Sequence, residues 1–187
     1  MAAEKPASPP VISFKGSCAC GRMTYDCAEP PFSSSACHCN TCRKLSGGPY
    51  QAFVDVISKS VTFYDNAEHL RYEGLPKDNI GGITFLRFSK VSERAFCASC
   101  HSPLAMRYKL EYDTIGLTLG SVDEESMGNE KVKEAFKLQQ HIFVSQKDWW
   151  YDVEKDDLPC EDRFTGHFEE DMKAWEGKVD KKYVPQC

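Results

Sequence analysis

Cys37-His38-Cys39-Asn40-Thr41-Cys42 is the segment on which the reading of this chain turns. Three thiols within six residues let one loop offer three sulfur ligands to one ion. Two further cysteine clusters flank it, Cys18-Ala19-Cys20 before and Cys97-Ala98-Ser99-Cys100 after. Seven of the ten cysteines therefore fall in clusters. A structural zinc ion takes four thiolates or imidazoles, whereas a catalytic one takes three protein ligands and keeps a position open. Four plus three matches one closed site and one open site. The two-residue gap of Cys97 and Cys100 is the usual half-site spacing. The one-residue gap of Cys18 and Cys20 is tighter: same-face positions on an extended strand lie about 7 Å apart, too far for two sulfurs each about 2.3 Å from one zinc. That segment has to bend, and Gly16 and Gly21 on either side are expected to permit it. The two pairs together suit a four-cysteine site that staples distant parts of the chain.

Composition narrows the classes. The chain has 187 residues, enough for one domain with a core. Its N-terminus, Met1 to Pro10, has no apolar stretch of the secretory kind, and no run approaches a membrane span. Grouped cysteines outside a secretory context read as metal ligands or reactive thiols. The expectation is a cytoplasmic protein with no membrane partner. A net charge of −5 and a pI near 5.6 argue against nucleic acid as a partner. Oligomeric state is not legible.

The texture is mainly β. Residues 1–10 read as a flexible tail. Tyr50 to Val56, Ile83 to Phe88 and Thr114 to Leu119 read as short strands, with a turn at Gly81-Gly82. Glu124 to Gln140 reads as a helix with Val132, Ala135, Phe136 and Gln139 on one face. His141 to Val144 reads as another strand. Phe168, Met172 and Trp175 share one face of a last helix, started by Thr165 and stopped by Gly177.

Chemistry follows from the three-cysteine loop. His38 points away from an ion that both its neighbours face. Zn²⁺ with three thiolates carries a net charge of −1, making it a poorer Lewis acid than zinc on three histidines. Such a soft site suits a sulfur ligand, so a thiol substrate bound as thiolate is the expectation. Arg43 and Lys44 follow at once and are candidates to offset that charge or to bind carboxylates; the plainer reading is solvated loop. Ser46, Gly47 and Gly48 offer close backbone approach. Tyr50, Gln51 and Phe53 either line a pocket or belong to the core. Trp149-Trp150-Tyr151 offers either a substrate wall or one core ring. His141 is either a base near zinc or a satisfied strand histidine, the second being favoured. Asp152 to Asp157 reads as a solvated acidic loop. Cys27, Cys160 and Cys187 read as free thiols.

Gly16-Ser-Cys-Ala-Cys-Gly21, Ala36-Cys-His-Cys-Asn-Thr-Cys-Arg-Lys-Leu-Ser-Gly47 and Phe96-Cys-Ala-Ser-Cys-His-Ser-Pro-Leu104 resemble the glutathione-dependent formaldehyde-activating family, whose domain is shared with centromere protein V. His141 to Trp149 and Asp157-Leu-Pro159 are similar to that family's end. The resemblance spans roughly residues 11–160. It implies a β-tent of small antiparallel sheets, here with short C-terminal helical additions. It implies a structural zinc on Cys18, Cys20, Cys97 and Cys100, and a second zinc on Cys37, Cys39 and Cys42. The implied activity is that of a carbon–sulfur lyase joining glutathione to formaldehyde. His101 stands where the family usually has Gly, which reads as a left-handed turn held by His, ahead of the other reading, an acid–base group facing the open site. The resulting division is a domain over 11–164 and a helical extension over 165–187. Two other functions stay open: a zinc-scaffolded protein-binding module, and a biosynthetic enzyme using the same pocket on another reactive intermediate.

Overall fold

The computed structural model describes residues 13–128 and 130–176. Two sheets carry the architecture. The first has four antiparallel strands: β1 (Phe14–Ser17), β2 (Met23–Cys27), β5 (Val61–Asp65) and β6 (Leu70–Glu73), in the order β1-β2-β5-β6. The second has eight strands in the order β12-β11-β3-β4-β10-β9-β8-β7. Its members are β3 (Ser33–Cys37), β4 (Gln51–Ile57), β7 (Ile83–Leu86), β8 (Ser92–Cys97), β9 (Pro103–Tyr108), β10 (Glu111–Thr118), β11 (His141–Ile142) and β12 (Cys160–Glu161). The pairs are antiparallel except at one end, where β11 runs parallel to both β3 and β12.

Alternation explains how the sheets stack. On β2 and β5 every second residue is buried: Met23, Tyr25 and Cys27, then Val61, Phe63 and Asp65. On β4, Val54 and Val56 point to the same core, which also holds Phe14, Ile83, Leu104, Ile115 and Leu117. Fully burying such side chains stabilises by about 1.5–3 kcal/mol each. Gln51, Phe53 and Asp55 then face the other side of the eight-stranded sheet. That outer side is covered by residues 143–168, and the cover creates the site described below.

Several elements depart from the sequence reading. The stretch expected to be helical over 124–140 holds a 3-10 turn at Glu124–Ser126 and a five-residue α2 (Glu130–Glu134). Gly128 lies between them, and backbone bonds from Ala135 to Val132 and from Phe136 to Lys133 tighten the chain out of the α-helical spacing. The apolar side chains still do their work: Phe136 meets Phe14 edge-on, ring centres 4.8 Å apart. The strand expected over 83–88 stops at Leu86, and the one expected over 114–119 runs from Glu111 to Thr118. The strand at 141–144 ends after Ile142, because Phe143 takes a left-handed φ of 59°. The start of β8 was not legible, because Ser92, Glu93 and Arg94 are polar in sequence yet buried in the fold, so no polar–apolar alternation marks them. α3 (Gly166–Glu176) begins directly after Thr165, with Met172 buried and Phe168 and Trp175 half-buried. Gly177, Cys187 and the tail over 1–10 lie outside the described residues.

Candidate metal centres and the cavity between sheet and cover

The sulfurs of Cys18, Cys20, Cys97 and Cys100 lie within 4.8 Å of one another. Cys18 and Cys20 converge because the chain turns sharply there: the Gly21 N–H donates to the Cys18 carbonyl at 3.0 Å, and Gly21 takes a φ of 74°. Gly16 has a different role from the one expected. A Cβ on it would come within 2.1 Å of the Tyr25 ring and 2.4 Å of the Ser121 carbonyl, so its bareness allows packing rather than bending. On the opposite side His101 closes the Cys97–Cys100 turn in a left-handed conformation, φ 59°, its N–H donating to the Cys97 carbonyl at 3.0 Å. Neighbouring sulfurs stand 3.5 Å (Cys18–Cys20) and 3.8 Å (Cys20–Cys97) apart. A tetrahedral zinc with bonds of about 2.3 Å separates its ligands by about 3.8 Å. The donor set thus fits such an ion closely.

The second cluster lies at the end of β3. Cys37 closes that strand, Cys39 caps α1 (Asn40–Ser46), and Cys42 sits in its first turn. The Cys42 N–H donates to the Cys39 sulfur at 3.4 Å. These three sulfurs also lie within 4.8 Å of one another, and no fourth His, Cys, Asp or Glu among the described residues joins them. Without a cation the three cannot all ionise. The thiols of Cys37 and Cys42 donate to Cys39, hold its pKa far below the ordinary thiol value, and leave Cys37 well above it. A divalent cation relieves that conflict, so the donor chemistry fits an ion here as well.

Arg94 is the neighbour that sequence reasoning missed. It lies on β8, 7 % exposed, and its Nη2 donates to the Cys42 sulfur at 3.1 Å. Nη1 donates to Gln51 Oε1 at 3.0 Å, and the guanidinium lies over the Phe53 ring at 5.6 Å. Burial opposes its charge, and the sulfurs of Cys42 and Cys39 more than offset that, raising its pKa. One buried cation therefore faces a site whose zinc complex would carry one negative charge. Nothing local in the sequence marks Arg94, since it sits in a uniformly buried strand.

His38 turns away from the three sulfurs, as its place between two of them dictates. Its Nε2 lies 2.8 Å from His141 Nδ1, and His141 Nε2 lies 2.9 Å from Asp156 Oδ2. Both imidazoles are fully buried, and burial, then His141, lowers the His38 pKa to about 4. His141 is thus a satisfied histidine linking the loop to the segment at Asp156, and that acidic residue is engaged rather than merely solvated. Tyr151 packs on the His38 ring at 5.5 Å, while Trp149 is 90 % exposed.

The three sulfurs open on a cavity of about 480 Å³. Its floor is the outer face of the large sheet, Tyr108 of β9 included, and Phe143, Phe164 and Phe168 stand over it. Phe53 lines it too. Arg43, Lys44, Ser46, Gly47 and Tyr50 do not. Arg43 pairs with Asp148 and donates from Nε to the His38 carbonyl at 3.1 Å. Lys44 is exposed. Ser46 Oγ donates back to the Arg43 carbonyl, and Gly47 ends α1 with a φ of 71°. Tyr50 packs on His38 and Tyr151, and together with Ser46 it borders a separate, more open cavity beside Cys18. Helical spacing of Phe168 and Met172 says which face is apolar, not what it faces, so the sequence does not place the wall at 163–168.

These features define a class: a two-sheet β protein with a four-sulfur cluster suited to a structural ion and a three-sulfur cluster open to a cavity. The chain belongs to the glutathione-dependent formaldehyde-activating enzyme family, whose model matches residues 13–146. Among solved structures, a protein from Rhodobacter sphaeroides is similar to it, at 16 % identity and a TM-score of 0.43, over 62 % of this chain and 95 % of that one. A comparison with curated proteins finds none that matches. No helix among the described residues is long and apolar enough to cross a membrane.

Proposed function

We propose that this chain is a carbon–sulfur lyase acting, in either direction, on adducts of a thiol with a small carbonyl compound, with glutathione as the thiol. The observation that carries the reading is the cluster of Cys37, Cys39 and Cys42, which lacks a fourth protein ligand among the described residues and opens on a cavity. We assign zinc to both clusters, Cys18, Cys20, Cys97 and Cys100 holding the structural ion. At the open site, zinc when bound supplies the charge that keeps a thiol ionised at neutral pH. Formaldehyde as the carbonyl partner is supported by the family's name alone. A cytoplasmic location is supported by the free thiols among the described residues.

The chain's own residues contribute position and polarity. Arg94 fixes the Cys42 sulfur and brings a buried positive charge to the thiolate end of the cavity. The His38–His141–Asp156 chain anchors the loop from behind, so that Cys37 and Cys39 face forward together. The aromatic cover shields part of the cavity from water, which strengthens polar interactions beneath it. The open cavity favours chemistry over a purely scaffolding role, because a scaffold ion needs no vacant space beside it.

Turnover with glutathione and an aldehyde panel, measured against no-enzyme controls, tests the proposal. Cys42→Ala is expected to lose activity and one equivalent of zinc while keeping the fold. Cys97→Ala is expected to lose the fold along with its zinc. Rates equal to the uncatalysed reaction across the panel, in protein holding two equivalents of zinc, would refute it.

A further inference from the structure

The cavity is longer than a one-carbon electrophile requires. Ser33, Ser35 and Cys37 alternate along β3 and all line it. From Cys37 to Ser33 is about 13 Å, at about 3.3 Å per residue. Ser35 pairs with Phe53 of β4 and Ser33 with Asp55, so the floor runs from the sulfurs, past a ring, to a carboxyl group. Gly116 lies opposite Asp55 on β10, where a Cβ would crowd Asp55 Oδ1 at 3.2 Å and Met106 at 3.3 Å. Its bareness keeps the floor flat at the far end.

A cavity walled by aromatic rings suits an aromatic ligand. Tyr108 of β9 meets Phe168 of the cover with ring centres 4.9 Å apart, and within the cover Phe164 and Phe168 stand 5.1 Å apart and Phe143 and Phe164 4.7 Å. Phe164 and Phe168 lie beyond residues 13–146, so this cover is an addition to the part that the family model matches. A volume of about 480 Å³ is within the usual range for drug-sized ligands. The positively charged lining is already engaged. Arg94 bonds to Cys42 and Gln51, Arg107 to Glu93 and two backbone carbonyls, and Arg163 to Glu169. Recognition along the cavity therefore falls to apolar contact and ring stacking, not to ion pairs with an anionic ligand.

We propose that the carbonyl partner taken at this site is an aromatic aldehyde, its ring lying on the floor beside Phe53 and Tyr108, beneath the cover of Phe164 and Phe168. The inference rests on the three-sulfur cluster being the place where the thiol binds. In the synthetic direction the thiol sulfur donates its electron pair to the carbonyl carbon and a C–S bond forms. The proton from sulfur ends on the former carbonyl oxygen, giving one hemithioacetal with nothing oxidised or reduced. In the reverse direction the C–S bond breaks and the same proton returns to sulfur.

The test compares benzaldehyde with formaldehyde, each with glutathione, on the zinc-loaded full chain. With each kcat/KM divided by the rate constant of the uncatalysed addition, the ratio is expected to favour benzaldehyde by about tenfold or more, the worth of one well-buried aromatic contact. Phe168→Ala and the milder Phe164→Leu are expected to bring that ratio below about threefold, with zinc content unchanged. A ratio near one in the unaltered protein, or a ratio undiminished in both variants, would overturn the proposal. Calorimetry with benzyl mercaptan and ethanethiol separates this inference from the lyase reading. If neither adduct turns over, the lyase reading fails. The aromatic site then stands on benzyl mercaptan binding about tenfold more tightly, with that margin lost in Phe168→Ala. Equal binding of the two thiols sinks it.

Discussion

Replacing Arg94 by Met removes the one cation that the described structure places against the three-cysteine cluster. The side chain is 7 % exposed and donates to the Cys42 sulfur at 3.1 Å. A hydrogen bond to a charged partner contributes about 1.5–3 kcal/mol. Partners that support metal ligands from behind typically change metal affinity by about 10–100-fold, and the two figures agree, since each 1.4 kcal/mol is about tenfold. Zinc affinity at this site is therefore expected to fall by about 10–100-fold. Gln51, 3 % exposed, also loses the donor to its Oε1, which costs a further 1–3 kcal/mol or so of fold stability. Competition of the two-zinc protein against a chromophoric chelator reads both sites at once, and the four-cysteine site is the internal reference. Arg94→Lys keeps the charge but not the fork that reaches Gln51 and Cys42 together, so an intermediate loss is expected. Unchanged affinity at the three-cysteine site, or an equal loss at both sites, would refute the claim that Arg94 offsets thiolate charge.

Two further outcomes follow from local geometry. Gly16→Ala drives a Cβ to 2.1 Å from the Tyr25 ring, and Tyr25 is 1 % exposed and bonded to Ser121 at 3.0 Å. Neither partner has room to move, so the loss is expected at about 3 kcal/mol, seen as a fall in Tm of about 6–12 °C; an unchanged Tm would contradict the packing described. Asp55 concerns pH. Burial raises its pKa from 3.8 to about 6, so between those values the folded state holds a proton that the unfolded state has released. Stability then falls as pH rises from about 4 to about 6, by up to about 3 kcal/mol from this group. Denaturant titrations of Asp55→Asn across that window should lack this slope, and an identical slope in the variant would assign it elsewhere.

Much of the site's chemistry was legible in the chain, because ligand type and spacing are local facts. The short gaps within Cys18–Cys20, Cys37–Cys42 and Cys97–Cys100 limit where their sulfurs can go whatever the rest of the fold does. His38 facing away from its neighbours' sulfurs, and His101 in a left-handed turn, follow in the same way from one or two residues of backbone. The strands at Tyr50 and Thr114 could be read because each has one face in the core and one toward the cavity. The start of β8 could not, since burial of both faces erases alternation. The helix read over 124–140 shows the opposite error: its spacing was real, and packing of Phe136 on Phe14 needs only one turn of it.

The sequence by itself determined which residues can hold ions, that the chain is mainly β, and to which family it is similar. Only the tertiary structure decided what surrounds the open cluster. Arg94 reaches Cys42 across 52 positions of sequence, His141 reaches His38 across 103, and Phe168 closes over a floor formed by β3, β4 and β10. Such contacts depend on which strands become neighbours and which face of each is left uncovered. Those outcomes come from the summed burial of many side chains, and no short stretch of residues encodes them.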